Sequence, residues 1–92
     1  MTQIFISYSR KDEAFARRLT TSLCLLGAEV WIDLEDIPLG VKWSTAIQEG
    51  LNESEVMIII LSPDSMASSN VEDEWQYFLD QKKPVVPVLL LG

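Results

Sequence analysis

Residues Val56–Leu61 read VMIIIL, six apolar side chains in succession with no polar residue between them. A strand with one wet face alternates apolar and polar residues, because successive side chains point to opposite faces of the sheet. A short run that is apolar at every position, and rich in β-branched residues, fits a strand covered on both faces. VMIIIL is therefore expected at the centre of a parallel sheet sandwiched between helices.

The flanking sequence agrees. Gln3–Ser7 (QIFIS) is a short β-rich run, and from Arg10 to Leu26 the residues Phe15, Leu19, Leu23 and Leu26 recur at helical spacing, with Gly27 closing the helix. Ala28–Ile32 (AEVWI) reads as a second strand, and DLEDIPLG after it carries the loop punctuation of Pro38 and Gly40. A second helix is expected from about Lys42 to Asn52, burying Trp43, Ala46, Ile47 and Leu51. Beyond VMIIIL, a third helix is expected from about Val71 to Gln81, and Pro84–Leu91 (PVVPVLLL) forms a fourth strand whose prolines limit its ladder hydrogen bonds.

Alternating strands and helices joined by right-handed crossovers imply an α/β fold, a parallel sheet of four strands with three helices laid on both faces. Ligands in such sheets bind at the carboxyl ends of the strands, where the strand order reverses. If the strand order is 2-1-3-4, that crevice lies between Ser7-Tyr8-Ser9-Arg10 and Ser62-Pro63-Asp64.

Composition narrows the function. Ninety-two residues make one domain, and 14 acidic against 7 basic residues give a net charge of −7, which repels nucleic acid and anionic lipid. The lone cysteine, Cys24, lies in an apolar helical pattern and reads as a small core side chain in a reducing cytoplasm. The first strand begins too early to leave room for a signal peptide, and no apolar run is long enough to span a bilayer. The absence of histidine removes Ser-His-Asp and Cys-His nucleophile systems and histidine-bearing metal sites. The glycines form neither a dinucleotide fingerprint nor a Walker loop, and the first and third strands end in Ser7 and Ser62 where a phospho-acceptor receiver needs acids. No metal or bound cofactor is expected.

The segment SSNVEDEWQYF (68–78) sets three acids before a tryptophan. With Asn70 as N-cap, Glu72 and Asp73 fall in the first turn, where free amides and the helix dipole favour carboxylates. On a helical wheel Val71, Trp75, Phe78 and Leu79 form the buried stripe, with Glu72 and Glu74 on its opposite borders. The wheel alone leaves both as candidates. Ser9 with Asp12 reads as a capping box for the first helix, and Asp33 as a residue holding the loop after strand two.

IFISYSRKD (4–12), VWIDLEDIPLGVKW (30–43), IIILSPDSMASS (58–69) and EW (74–75) ahead of KKPVVPVLL (82–90) together resemble a Toll/interleukin-1 receptor (TIR) domain of the bacterial type, collinear from Gln3 to Leu90. The family fold is a flavodoxin-like parallel sheet of five strands in the order 2-1-3-4-5, so the resemblance implies a TIR domain over 1–92 with four strands in the order 2-1-3-4 and three helices, lacking the fifth strand and last helix and so incomplete at the C-terminus. It also implies signalling through self-association with other TIR domains, as a homo-oligomer or filament, and a role in bacterial immunity. The loop Asp36, Ile37, Pro38, Leu39 and Gly40 would make those contacts. Among family members that cleave NAD⁺, the catalytic glutamate falls on Glu74 by its spacing to Lys83 and Pro84. NAD⁺ would then be a substrate rather than a cofactor, with Tyr8, Ser9, Arg10 and Ser62 lining its crevice. The alternative function is a non-catalytic TIR–TIR interaction scaffold.

Overall fold

A computed structural model describes residues 3–32 and 45–90. Asp33, Trp43 and the Asp36–Gly40 loop lie outside the described residues. Four parallel strands, β1 (Gln3–Ser7), β2 (Glu29–Ile32), β3 (Val56–Leu61) and β4 (Val85–Leu89), form one sheet in the order β2-β1-β3-β4. Its helices are α1 (Glu13–Leu25), α2 (Thr45–Glu53), α3 (Pro63–Met66) and α4 (Ser69–Asp80). The flavodoxin-like layout holds, and VMIIIL lies between β1 and β4, with Phe5 opposite Met57 and Ile58 opposite Val86.

The two-residue period of the strands divides the core. Phe5 and Met57 point to one face, where they pack with Ile47 and Leu51 of α2 and Phe78 of α4. Ile6 and Ile60 point to the other, where Ala16, Phe15, Leu19 and Leu23 of α1 cover them. Both faces of β3 are thus filled, which is why its sequence carries no alternation.

On the α2 face the Trp31 ring stacks on Phe5, with centroids 4.9 Å apart and planes 7° from parallel. Gly50 lets α2 approach the far side of that ring: a Cβ there would stand 2.6 Å from Trp31 Cδ2 and Cε2.

Several local expectations need correction. Three helices become four, because Ser62 caps a single turn, α3, with Pro63 opening it and Ser65 completing a reciprocal capping box. The α4 N-cap is Ser68, whose Oγ accepts from Val71 N at 3.3 Å, not Asn70. Arg10–Asp12 is a 3₁₀ turn ahead of α1. Ser9 Oγ accepts there from Lys11 N at 3.4 Å, so the carboxylate of Asp12 completes no capping box and instead accepts from Ser62 Oγ.

Cys24 is exposed, because it sits one residue past Leu23, about 100° around the helix from the side facing the sheet. Gly27, at φ +90°, ends α1 in a left-handed turn in which Ala28 N donates to Leu23 O and Gly27 N to Cys24 O. That turn leaves Leu25 and Leu26 83% exposed, although Leu26 continues the apolar spacing.

Candidate active site

The carboxyl end of β1 carries Ser7 on the same face as Phe5, toward α4. Its side chain is fully buried and donates from Oγ to Glu74 Oε1 at 2.8 Å. Glu74 lies in the buried stripe of α4, Val71–Glu74–Phe78, at 7% exposure. The helical wheel had placed it on the border with Leu79 inside the stripe. Instead α4 is rotated so that the line from Val71 through Glu74 to Phe78 faces the sheet, and Leu79 is left 48% exposed.

That rotation separates the two glutamates left open by the sequence pattern. Glu72 is exposed, accepts from Gln76 Nε2 at 3.0 Å one turn along the helix, and stands at the rim of a cavity of about 450 Å³. This cavity lies between α4 and the β3–β4 edge and is walled by Ile59, Leu61, Val71, Trp75, Val85 and Pro87. Glu74 is turned the other way, toward β1.

The loops after β1 and β3 meet at the switch point of the sheet, as expected for the order β2-β1-β3-β4. They are tied together. Ser62 Oγ donates to Asp12 Oδ2 while accepting from Ser65 N at 3.1 Å, and Lys11 Nζ stands 3.5 Å from Asp64 Oδ1. The Ser62 hydroxyl therefore serves as both helix cap and link between loops.

The other residues expected around the crevice are placed unequally. Tyr8 is half-buried and packs against the Ile6–Ala16–Ile60 cluster, on the α1 face of the sheet. Ser9 caps the 3₁₀ turn, and Arg10 Nη1 lies 3.8 Å from Glu13 Oε1. All of them sit just beyond the end of the strand that carries Ser7. Ser7, which holds the candidate carboxylate, is not among the candidate site residues read from the sequence. The signal was its parity with Phe5 at the last position of β1, which turns its hydroxyl toward the helix that covers Phe5.

Chemically, this arrangement offers one carboxylate held in a largely buried position at the carboxyl end of a parallel sheet. Among the described residues no group of three or more His, Cys, Asp or Glu side chains is placed to hold a metal ion. No described helix is long and apolar enough to cross a membrane.

Comparison with known proteins identifies the fold and the family. A family model described as the TIR domain matches residues 4–91. The chain is 30% identical over 90 residues to the "Probable 2' cyclic ADP-D-ribose synthase TcpO" of Methanobrevibacter olleyae, a match that covers 94% of this chain but only 26% of that protein. In structure it resembles the TIR domain of the Toll-related receptor TRR-2 of Hydra magnipapillata, with a TM-score of 0.81 at 20% identity, covering 97% of this chain and 70% of that one. It also resembles the TIR domains of the activated Roq1 resistosome, which directly recognises the pathogen effector XopQ, with a TM-score of 0.82 at 21% identity, covering 100% and 59%. The structural likenesses establish the fold, and the match to the family model over residues 4–91 extends from β1 through β4: the chain belongs to the TIR domain family.

Proposed function

We propose that this TIR domain acts in cytoplasmic immune signalling by self-association and cleaves NAD⁺ at the bond between nicotinamide and ribose, with Glu74 as the catalytic carboxylate. The observation that carries the reading is the buried Ser7–Glu74 pair at the carboxyl end of the sheet. The sequence relative named as a cyclic ADP-D-ribose synthase supports it.

The chemistry suits a single acid. The nicotinamide of NAD⁺ is a pyridinium, so when its bond to C1′ of the ribose breaks, the electron pair returns to nitrogen and a neutral base departs. An ordinary sugar leaving group must be protonated by a general acid, whereas this one needs none. The remaining task is to hold the ribose hydroxyls and stabilise positive charge developing on the sugar, which a fixed carboxylate does best where little water screens it. Water, or a hydroxyl of the same nucleotide, then adds at C1′ and releases a proton, giving linear or cyclic ADP-ribose. Arg10 would meet the diphosphate, Tyr8 and Ser9 would line the entrance, and Ser62 would act through its hold on Asp12.

Nicotinamide release at high protein concentration tests the reading. Glu74→Gln is expected to abolish it and Glu72→Gln to retain it; equal rates in wild type and both variants refute the assignment. Turnover rising faster than linearly with concentration is expected if self-association completes the site, and Leu39→Asp, in the proposed contact loop, should then lose assembly and turnover together. The scaffold reading is favoured by one observation, the exposure of Leu25, Leu26, Met66 and Leu89 on a chain of this size. It predicts that Leu39→Asp loses assembly in a protein that never releases nicotinamide.

A further inference from the structure

We infer that Ser7 is the positioning residue for the Glu74 carboxylate in turnover, an inference that rests on Glu74 being the catalytic group. Ser7 is fully buried at the last position of its strand, directly after the apolar run Ile4–Phe5–Ile6. Burying a hydroxyl there costs free energy unless it is hydrogen-bonded, and packing alone would be served as well by alanine. The bond it makes is to one oxygen of Glu74, 67 residues away in sequence.

A glutamate side chain turns about three bonds, and fixing it costs rotamer entropy. Donation from a hydroxyl that itself sits on the pleat of the central sheet meets that cost in the folded protein, before any substrate arrives. The bond also fixes α4 relative to the carboxyl end of β1, so the carboxylate and the loop carrying Tyr8, Ser9 and Arg10 keep one mutual position. Without this donor, Glu74 keeps its place in the helix but loses the bond that fixes one of its carboxyl oxygens, and a smaller fraction of molecules present it correctly.

The test separates positioning from mere stability by measuring kcat and KM on folded protein, with circular dichroism and thermal unfolding on the same samples. Ser7→Ala is expected to lower kcat by about tenfold or more while leaving KM within about twofold, because the lost interaction acts on the reacting carboxylate rather than on nucleotide binding. Ser7→Thr restores the hydroxyl and is expected to recover kcat to within about threefold of wild type. Ser7→Cys, nearly the same size with a much weaker donor, keeps the inference testable if the alanine variant does not fold; its kcat falls as well.

A purely structural serine would lower the melting temperature and leave kcat per folded molecule unchanged. Wild-type kcat in folded Ser7→Ala or Ser7→Cys, beside an inactive Glu74→Gln, overturns the positioning role and leaves Glu74 as the catalytic group. An active Glu74→Gln, or no release from wild type, overturns the catalytic reading itself and the positioning role with it.

Discussion

Ser7 Oγ and Glu74 Oε1 stand 2.8 Å apart in a part of the molecule where neither residue is more than 7% exposed. Such a pair ties α4 to the carboxyl end of β1 through one bond. The polar residues it buries are tolerable to the fold because they satisfy each other, and the same bond aims a carboxylate from a helix at the end of a sheet.

The pair has a measurable weight in stability apart from any turnover. Glu74→Ala removes the acceptor and leaves the Ser7 hydroxyl buried without that partner, a loss expected at about 1–3 kcal/mol. Glu74→Gln keeps an amide oxygen in the same place and should lose distinctly less. Urea unfolding of the two variants checks the order; equal midpoints for alanine and glutamine would mean that the bond contributes nothing to the folded state.

Gly50→Ala tests the packing of α2. Helix propensity alone would favour alanine by about 1 kcal/mol. Against this, the new Cβ would lie 2.6 Å from the Trp31 ring, which is held from behind by its stack on Phe5 and has little freedom to withdraw. Overpacking of this kind costs about 1–3 kcal/mol, so the net effect is expected to be destabilising. A lower denaturation midpoint, together with a change in tryptophan fluorescence, is the expected result.

The two loops at the switch point should behave as a unit. Asp12→Ala and Ser62→Ala each break the Asp12–Ser62 hydrogen bond, and Ser62→Ala also uncaps α3. The double variant should therefore lose less than the sum of the singles, with an interaction energy of about 0.5–3 kcal/mol in a mutant cycle. Strict additivity would show that the loops are not linked through this bond.

How legible the molecule is from its sequence depends on which residues carry the information. The parallel sheet and the central place of Val56–Leu61 follow from VMIIIL and the strand–helix alternation around it, because a two-sided burial pattern has few architectural solutions, whereas the order 2-1-3-4 comes with the family resemblance. The ends of elements were harder to read. Ser68 and Asn70 are both good caps, and which of them starts α4 is decided by how the preceding α3 turn sets the chain. The Ser62–Ser65 box is hard to read from sequence because its far end is a serine rather than an acid or amide side chain. The family resemblance nominates Glu74, through its spacing to Lys83 and Pro84, but its place in the buried stripe depends on the rotation of α4, set by tertiary packing against Met57 and Phe5.

Lys82 holds a φ of +60° at the end of α4, the left-handed conformation that closes the helix through Lys82 N to Leu79 O and Lys83 N to Phe78 O. A residue with a Cβ is disfavoured there by about 1–2 kcal/mol, and glycine escapes that penalty while losing more entropy on folding. Lys82→Gly should therefore stabilise the domain by about 0.5–1 kcal/mol. A thermal midpoint above that of wild type is the expected outcome, and a lower one would show that the lysine side chain contributes more than its backbone strain removes.

That turn also aims Lys83, whose role the sequence concealed. Its ammonium donates to the carbonyls of Leu51 (3.2 Å), Asn52 (2.9 Å) and Ser54 (2.9 Å) at the end of α2, and lies 5.2 Å from the centre of the Phe78 ring. The last carbonyls of a helix lack partners within it, and the dipole there favours a cation, so one side chain satisfies groups that would otherwise need water. Lys83→Met preserves the stem and its packing while removing all three donors. Hydrogen bonds to a charged group are worth about 1.5–3 kcal/mol each in favourable cases, but exposed donors compete with water, so a total loss of about 1–3 kcal/mol is expected. Amide exchange should quicken in α2 before it does in β1 or β3, since the helix end loses its tie to the turn before β4. Uniform acceleration across the sheet would instead mean that Lys83 supports the whole core, and unchanged stability would mean that water replaces the ammonium without cost.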